Sequence, residues 1–320
     1  MGRPGALNRL RDAVAGFAET SLPHEQSWCV ALSGGPDSLA LTAAAATVRP
    51  TTALIVDHGL QAGSAAVAAA ARAAALELGC IGARVLPVRV GSAGGPEAAA
   101  RTARYAALAS ARDGAPVLLG HTLDDQAETV LLGLGRGSGS RSVAGMRVCD
   151  PPWFRPLLAV RRSVTVAACA ELGLTPWDDP HNSDPRYTRV RLRREVLPLL
   201  EEVLGGGVAE ALARTAVALR EDTDLLDGIA ADHLAGALGE DGMRVEAVRQ
   251  LPVALRRRVL RGWLIDGGAT GLTDTQIRAV DTLVTGWRGQ GGVAVGCPVP
   301  RTRMFAERHG DVLRLRAEPV

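Results

Sequence analysis

Four short apolar runs constrain the fold: SWCVALS (27–33), TTALIVD (51–57), ARVLPVRV (83–90) and PVLLGH (116–121). Alanine-rich stretches of helical length separate them, at 38–49, 64–79 and 96–112, and Gly79 and Gly114 punctuate two of the joins. Strands that are apolar on both faces, alternating with helices, predict a parallel sheet covered by helices. Hydrophobic residues make up 47% of the chain but aromatic ones only 3%, so the core must rest on Ala, Leu and Val. Ligands bind such sheets at the carboxyl ends of the strands, which directs attention to the loops after the runs.

The loop after the first run is Ser33-Gly34-Gly35-Pro36-Asp37-Ser38. A glycine-rich turn between a strand and a helix N-terminus is an anion site, with amides and the helix dipole pointing at the ligand. Gly34 and Gly35 permit close approach, and the Ser33 and Ser38 hydroxyls add donors. The ordinary alternative is a Gly-Gly turn with Asp37 or Ser38 as a helix cap. A carboxylate at Asp37 suits a phosphate site if Mg²⁺ arrives with the phosphates.

After the fourth run, LDDQAET places Asp124, Asp125 and Glu128 within one turn of a helix at 123–134. Acids at a helix start also simply complement the dipole. The third helix carries Glu97, Arg101 and Arg104. Glu97 and Arg101 form an i,i+4 pair, while Arg101 and Arg104 share a face that suits phosphate or an RNA backbone. Residues 186–194 hold five arginines in nine positions, among them Arg189 and Arg193, beside Tyr187. That pattern fits a solvated helix start or contact with RNA phosphate, with Tyr187 stacking on an unpaired base. His58 and His121 match no metal-ligand spacing. The glycine-rich stretch 133–145 follows a helix rather than a strand, which excludes a dinucleotide fingerprint.

All 36 basic residues are arginine. The absence of lysine excludes a Walker-type phosphate lysine, a Schiff base and a lysine nucleophile. The net charge of +2 confines any nucleic-acid signal to local patches. Five cysteines are scattered singly, with no CxxC pair, as expected of a reducing cytosol. Residues 6–20 read as an amphipathic helix rather than a signal-peptide core, and no apolar run has membrane-spanning length. A cytoplasmic protein without membrane contact is the expectation.

From Tyr187 the pattern is helical to about Gly236, broken at 205–207, and again helical over 243–286; VAVGC, TRMFAER and DVLRLR near the end read as short strands. The expected domains are residues 1–200 and 201–320. Arg256, Arg257, Arg258, Arg261, Arg301 and Arg303 make the second a candidate for docking RNA.

Five stretches taken together carry a resemblance: S33-G-G-P-D-S38, V56-D-H-G-L-Q61, E97-A-A-A-R-T-A-R-Y105, G120-H-T-L-D-D-Q-A-E-T129 with RGSG after it, and D179-P-H-N-S-D-P-R-Y-T-R-V-R-L-R193. The first resembles the pyrophosphate loop of the N-type ATP pyrophosphatases (the PP-loop superfamily). The set, over about residues 27–200, resembles the tRNA(Ile)-lysidine synthase family. Gln61, Gly133 and Val190 stand where many members have arginine, arginine and asparagine.

The resemblance implies an α/β fold with a five-stranded parallel sheet and helices on both faces, of the adenine nucleotide alpha-hydrolase type, then a smaller, mainly helical region with a few short strands. It implies ATP and Mg²⁺ as cofactors, with free L-lysine and the CAU-anticodon isoleucine tRNA as partners, and a monomer or homodimer. ATP would adenylate O2 of the wobble cytidine, and the ε-amine of lysine would then attack C2. ATP contacts would fall to Ser33, Gly34, Gly35, Pro36, Asp37, Ser38 and Asp57. Asp37, Asp125 and Glu128 would be catalytic, with Asp37 and Asp125 on the metal side. Asp124, Asp125 and Glu128 would bind lysine, and Arg101, Arg104, Tyr187, Arg189 and Arg193 would bind tRNA. Alternatives are a tRNA thiolase of the same fold, which uses paired cysteines, and a nucleotide-binding module that does no chemistry.

Overall fold

The computed structural model describes residues 5–59, 63–91, 95–137, 139–179 and 183–320; Gln61 lies outside the described residues. The chain divides into two compact units, Met1–Leu132 with Gly145–Thr215, and Gly133–Ala144 with Ala216–Val320. The unit boundary falls inside a long helix, where the sequence reading places a division near residue 200. No helix among the described residues is long and apolar enough to cross a membrane.

In chain order the elements begin with α1 (Ala6–Ser21), β1 (Trp28–Ala31), α2 (Pro36–Val48), β2 (Thr51–Asp57), α3 (Ser64–Glu77), β3 (Gly82–Pro87), α4 (Pro96–Ala111), β4 (Val117–Leu119) and α5 (Leu123–Arg136). They continue with α6 (Ser140–Val143), β5 (Cys149–Asp150), β6 (Trp153–Phe154), α7 (Arg162–Glu171), α8 (Thr188–Arg191), a π-helical turn at Leu192–Val196, α9 (Leu197–Val203) and α10 (Val208–Ala237).

Among the described residues the first unit forms a sheet of order β3-β2-β1-β4-β6-β5. Five strands are parallel, and β5 adds an antiparallel edge on β6. β5 and β6 are two residues each, flanking Pro151 and Pro152, too short for a period-2 signal. β1 alternates between two cores: Trp28, Val30 and Leu32 face one cluster with α1, α2 and α7, and Cys29 and Ala31 face another with Leu108 of α4. α2 is buried on nearly every side from Ser38 to Ala45, and its small residues let neighbours approach closely. α1 instead buries a stripe, Leu10, Val14 and Phe17.

Strand order reverses between β1 and β4. β2 and β3 extend from one side of β1, and β4 and β6 from the other. The carboxyl ends of β1 and β4 therefore mark the switch point of the sheet, the usual ligand position in such folds. The loops leaving these two strands are 32–35 and 120–122.

The second unit continues from α10 with β7 (Leu238–Gly239), β8 (Gly242–Arg244), α11 (Val245–Arg249), α12 (Val253–Asp266), α13 (Asp274–Thr285), β9 (Val293–Val295), β10 (Thr302–His309) and β11 (Val312–Pro319). Its described strands form an antiparallel sheet, β7-β8-β11-β10-β9. Val259, Leu260 and Leu264 of α12, Val280, Leu283 and Val284 of α13, and Met243, Ala306 and Leu313 of the sheet form its core. A Thr273–Gln276 capping box starts α13.

Candidate active site

The turn after β1 is held by its own hydroxyls. Ser38 Oγ accepts from the Ser33 amide at 3.2 Å, lies 3.1 Å from Ser33 Oγ and donates to the Gly35 carbonyl at 3.0 Å. Gly34 takes φ +85°, a conformation that suits glycine, and its carbonyl accepts from the Trp177 amide at 3.0 Å. α2 begins at Pro36, so the amides of its first turn have no partner within the helix. Gly120, after β4, is a glycine for a different reason. A Cβ there would lie 3.0 Å from the Asp37 carbonyl and 3.1 Å from Ser38 Cα, so glycine lets the two loops meet without the backbone of either giving way.

A cavity of about 690 Å³ opens at the ends of β1 and β2. Ser33, Asp57, His58, Arg104, Tyr187, Arg189 and Arg193 line it, with Leu54, Val56, Val67 and Trp177 as apolar walls. Its size and lining suit an aromatic ring with a charged tail. Asp57 accepts from the Gly59 amide at 3.0 Å. Burial, with Arg104 nearby, pushes His58 below its usual range, so the imidazole is neutral. The side chains of Arg104 and Arg189 form no hydrogen bond or ion pair with any described residue, and burial loosens the proton of Arg104. Asp57 and Asp179 line the same cavity, but neither pairs with these two guanidiniums, which leaves both able to take an anion. Arg101 is turned elsewhere: it lies over the Tyr105 ring at 4.9 Å, and Tyr105 packs edge-on against Trp153. Nothing is described of the Glu97 side chain.

Beside the cavity three carboxylates converge from two elements. Asp37 comes from the first turn of α2, Asp125 and Glu128 from α5. Arg162, the first residue of α7, joins all three: Nε donates to Asp37 at 3.2 Å, one terminal nitrogen to Asp125 at 2.5 Å and the other to Glu128 at 3.4 Å. Arg193 grips Glu128 with a fork at 2.7 and 3.2 Å and lies 3.5 Å from Asp125. Glu128 is fully buried. Thr165 donates to Asp37, and the Thr122 amide and hydroxyl donate to Asp125 at 2.8 and 2.9 Å.

The electrostatics follow from these contacts. Burial raises the Asp37 carboxyl above its ordinary range, and Arg162 and Thr165 only partly offset it. Burial also pushes Asp125 upward, but Arg162, Thr122 and His121 outweigh it and hold the carboxyl low. The three acids raise Arg162 above its already high value, against burial. Burial pushes His121 down to about 4, which leaves it neutral at pH 7.

Asp124 has a separate task. Its carboxylate accepts from the Arg162 amide at 2.7 Å and pairs with Arg161 at 3.5 Å, so it caps α7. Gln126 is structural too: its amide clamps the Met146 backbone at both N–H (2.7 Å) and C=O (3.1 Å). Of the acids expected to meet lysine, the structure gathers Asp125 and Glu128 with Asp37 and turns Asp124 to the neighbouring helix.

A PP-loop domain profile matches residues 8–200, and a TilS substrate binding domain profile matches residues 243–308. The tRNA(Ile)-lysidine synthase of Mycolicibacterium paratuberculosis is 68% identical over 320 residues, covering 100% of both chains. That of Mycobacterium tuberculosis (strain H37Rv) is 68% identical over 324 residues, again covering 100% of both, and that of Nocardia farcinica 62% identical over 311, covering 97% of this chain and 98% of its own. The chain belongs to the tRNA(Ile)-lysidine synthase family.

Among solved structures, a U34-tRNA thiolase from Methanococcus maripaludis superposes with a TM-score of 0.55 at 16% identity, over 68% of this chain and 80% of that one. That likeness shows the shared adenine nucleotide alpha-hydrolase fold. As a member of the lysidine synthase family the chain is a ligase of the PP-loop ATP pyrophosphatase class, and it uses ATP. Sequence reasoning missed Arg162, Thr165, Thr122 and Gly120. Gly120 stood beside the acidic motif, but nothing in its spacing marks a close approach to the turn after β1. Among the described residues no three His, Cys, Asp or Glu side chains gather as a metal cage. Asp37 and Asp125 still offer the hard oxygen donors that Mg²⁺ takes, one or two at a time, alongside phosphate.

Proposed function

We propose that this protein ligates free L-lysine to C2 of the wobble cytidine in the CAU-anticodon isoleucine tRNA, in the cytosol, through an adenylated tRNA. The carrying observation is the convergence of Asp37, Asp125 and Glu128 beside a cavity lined by unpaired arginines. ATP occupies the cavity with its triphosphate on residues 33–38. In the first step cytosine O2 bonds to the α-phosphorus and pyrophosphate departs. Charge grows on that leaving group, and the fixed amides of the turn, with Arg104, stabilise it. Asp37 and Asp125 would hold Mg²⁺, which would supply neutralisation of phosphate charge.

In the second step the lysine ε-nitrogen bonds to C2 while the C2–O2 bond breaks, and AMP leaves with that oxygen. The amine must first lose a proton, since its reference pKa is about 10.4. Asp125 and Glu128 bind the ammonium, and one of them accepts the proton. Arg189, Arg193 and Tyr187 surround the cavity that receives the flipped cytidine, and residues 201–320 hold the tRNA body.

The test is a pyrophosphate-release assay with ATP, Mg²⁺, lysine and the isoleucine tRNA, each omitted in turn, with mass spectrometry of the tRNA. Release should require tRNA, and the product should gain lysine less water. Release that ignores tRNA would overturn the proposal.

A further inference from the structure

The acid cluster contains a cation of its own. Arg162 places one guanidinium against three carboxylates from two separate elements. Its position is fixed at the backbone: Asp124 holds its amide, and Thr165, one turn along α7, holds Asp37. Asp37, Asp125 and Glu128 carry −3, and Arg162 with Arg193 carries +2, so the cluster's formal charge is −1. Without Arg162 it would be −2. Glu128 keeps a second cation in Arg193, whereas among the described residues Asp37 has no other cationic partner.

We propose that Arg162 is a positioning residue that serves as the resident counter-cation of this site. It holds the aspartate of the PP-loop in line with the acids of α5 and gives up those contacts when a cation of the reaction arrives. The inference rests on reading this cluster as the cation-binding part of the active site. A guanidinium suits the task because its three nitrogens fork to separate acids while the charge stays permanent. Arg162 and an incoming cation compete for the same three acids, so the site stays compact and nearly neutral until the cation is delivered. Divalent metal and the lysine ammonium share the required chemistry, and the test separates them.

The test measures binding rather than turnover. Mn²⁺ binding to the nucleotide-free protein is followed by electron paramagnetic resonance, and L-lysine binding by calorimetry, in wild type, Arg162→Met, Arg162→Gln and Arg162→Lys. The neutral variants should bind at least one of the two cations tenfold or more tightly. Tightening for Mn²⁺ assigns Arg162 to the metal position; tightening for lysine assigns it to the amine position. Arg162→Lys, which keeps the charge but not the three-way fork, should stay within about threefold of wild type. A general loosening of the fold would instead shift all three variants alike. If a folded neutral variant, by circular dichroism, binds both cations no tighter than wild type, the proposal is wrong. Failure of the underlying reading looks different: wild type with ATP would then bind neither Mn²⁺ beyond that held by ATP itself nor lysine, and Asp37→Asn would change nothing.

Discussion

The two units use the same residue, arginine, in opposite ways. In the first, the Arg104 and Arg189 side chains face a cavity and pair with no described residue, although Asp57 and Asp179 also line it, while Arg162 and Arg193 hold the converging carboxylates Asp125 and Glu128. In the second, arginines that look available in the sequence are already spent on structure. Arg256 and Arg257 both close on Asp281, at 2.5 and 3.0 Å, and Asp281 is only 5% exposed. Asp227 takes Arg141 and, at 3.1 Å, Arg258. A run of three arginines therefore pins α12 to α13 and α10 before it offers anything to RNA. Arg261, like Arg301 and Arg303, has no ion pair with a described residue, and burial and Arg141 weaken its hold on its proton. Arg104 and Arg189 face an opening, whereas Arg256 and Arg257 face an acid.

The largest effect should come from the acids of the first unit. Glu128→Gln keeps the shape but removes the charge that Arg162 and Arg193 share. Turnover in the pyrophosphate assay should fall at least a thousandfold, about 4 kcal/mol in barrier. ATP should still bind, since the cavity does not use Glu128. Turnover within tenfold of wild type would break the distinction between site acids and structural acids.

The matching change in the second unit is Asp281→Ala. It leaves two guanidiniums without their buried partner, and stability should fall by about 3 kcal/mol in thermal or denaturant unfolding. ATP binding by the folded fraction should be unchanged. An effect on nucleotide affinity with no loss of stability would show that Asp281 acts on function rather than on packing.

This contrast also marks what the sequence could reveal. Asp125 and Glu128 were legible because three positions along a helix bring side chains to one side, and the turn at 33–38 because glycines and hydroxyls at a strand end have a defined use. Arg162 was not. AVRRSV offers two adjacent arginines at a helix start, and no periodicity tells Arg162, which enters the acid cluster, from Arg161, which reaches Asp124, Glu201 and Glu210. Arg256 and Arg257 show the same limit: their partner, Asp281, lies on another helix, α13. Asp124 looked equivalent to Asp125, but adjacent helical residues point about 100° apart. Local pattern reports which face a residue occupies; it does not report what the chain brings to meet that face.

A pH titration sharpens the comparison at the next level. His121 is held near 4 in the folded protein, against about 6.5 unfolded. Between those values the unfolded chain binds the extra proton and the folded one does not. The stability from a neutral His121 is therefore complete above pH 6.5 and lost as pH falls toward 4. The loss should be on the order of 2 kcal/mol, read by urea unfolding at pH 7 and pH 4.5. His121→Asn should flatten that slope. A slope that persists in the variant would move its origin elsewhere.

The smallest effect belongs to Arg101, which shares a helix with Arg104 but not its surroundings. Arg101 is exposed and packs on Tyr105, a contact worth about 0.5–1 kcal/mol at such a site. Arg104 faces the cavity. Arg104→Met should weaken ATP binding by about tenfold or more, equal to about 1.4 kcal/mol, whereas Arg101→Met should leave ATP affinity unchanged and cost only the stacking. The informative measurement on Arg101→Met is the Michaelis constant for tRNA. If it rises severalfold while that for ATP holds, Arg101 reads RNA from outside the cavity, and the first unit has two arginine surfaces, one for nucleotide and one for tRNA. If neither constant moves, the Tyr105 contact is its whole role, and Arg101 joins the structural arginines of the second unit.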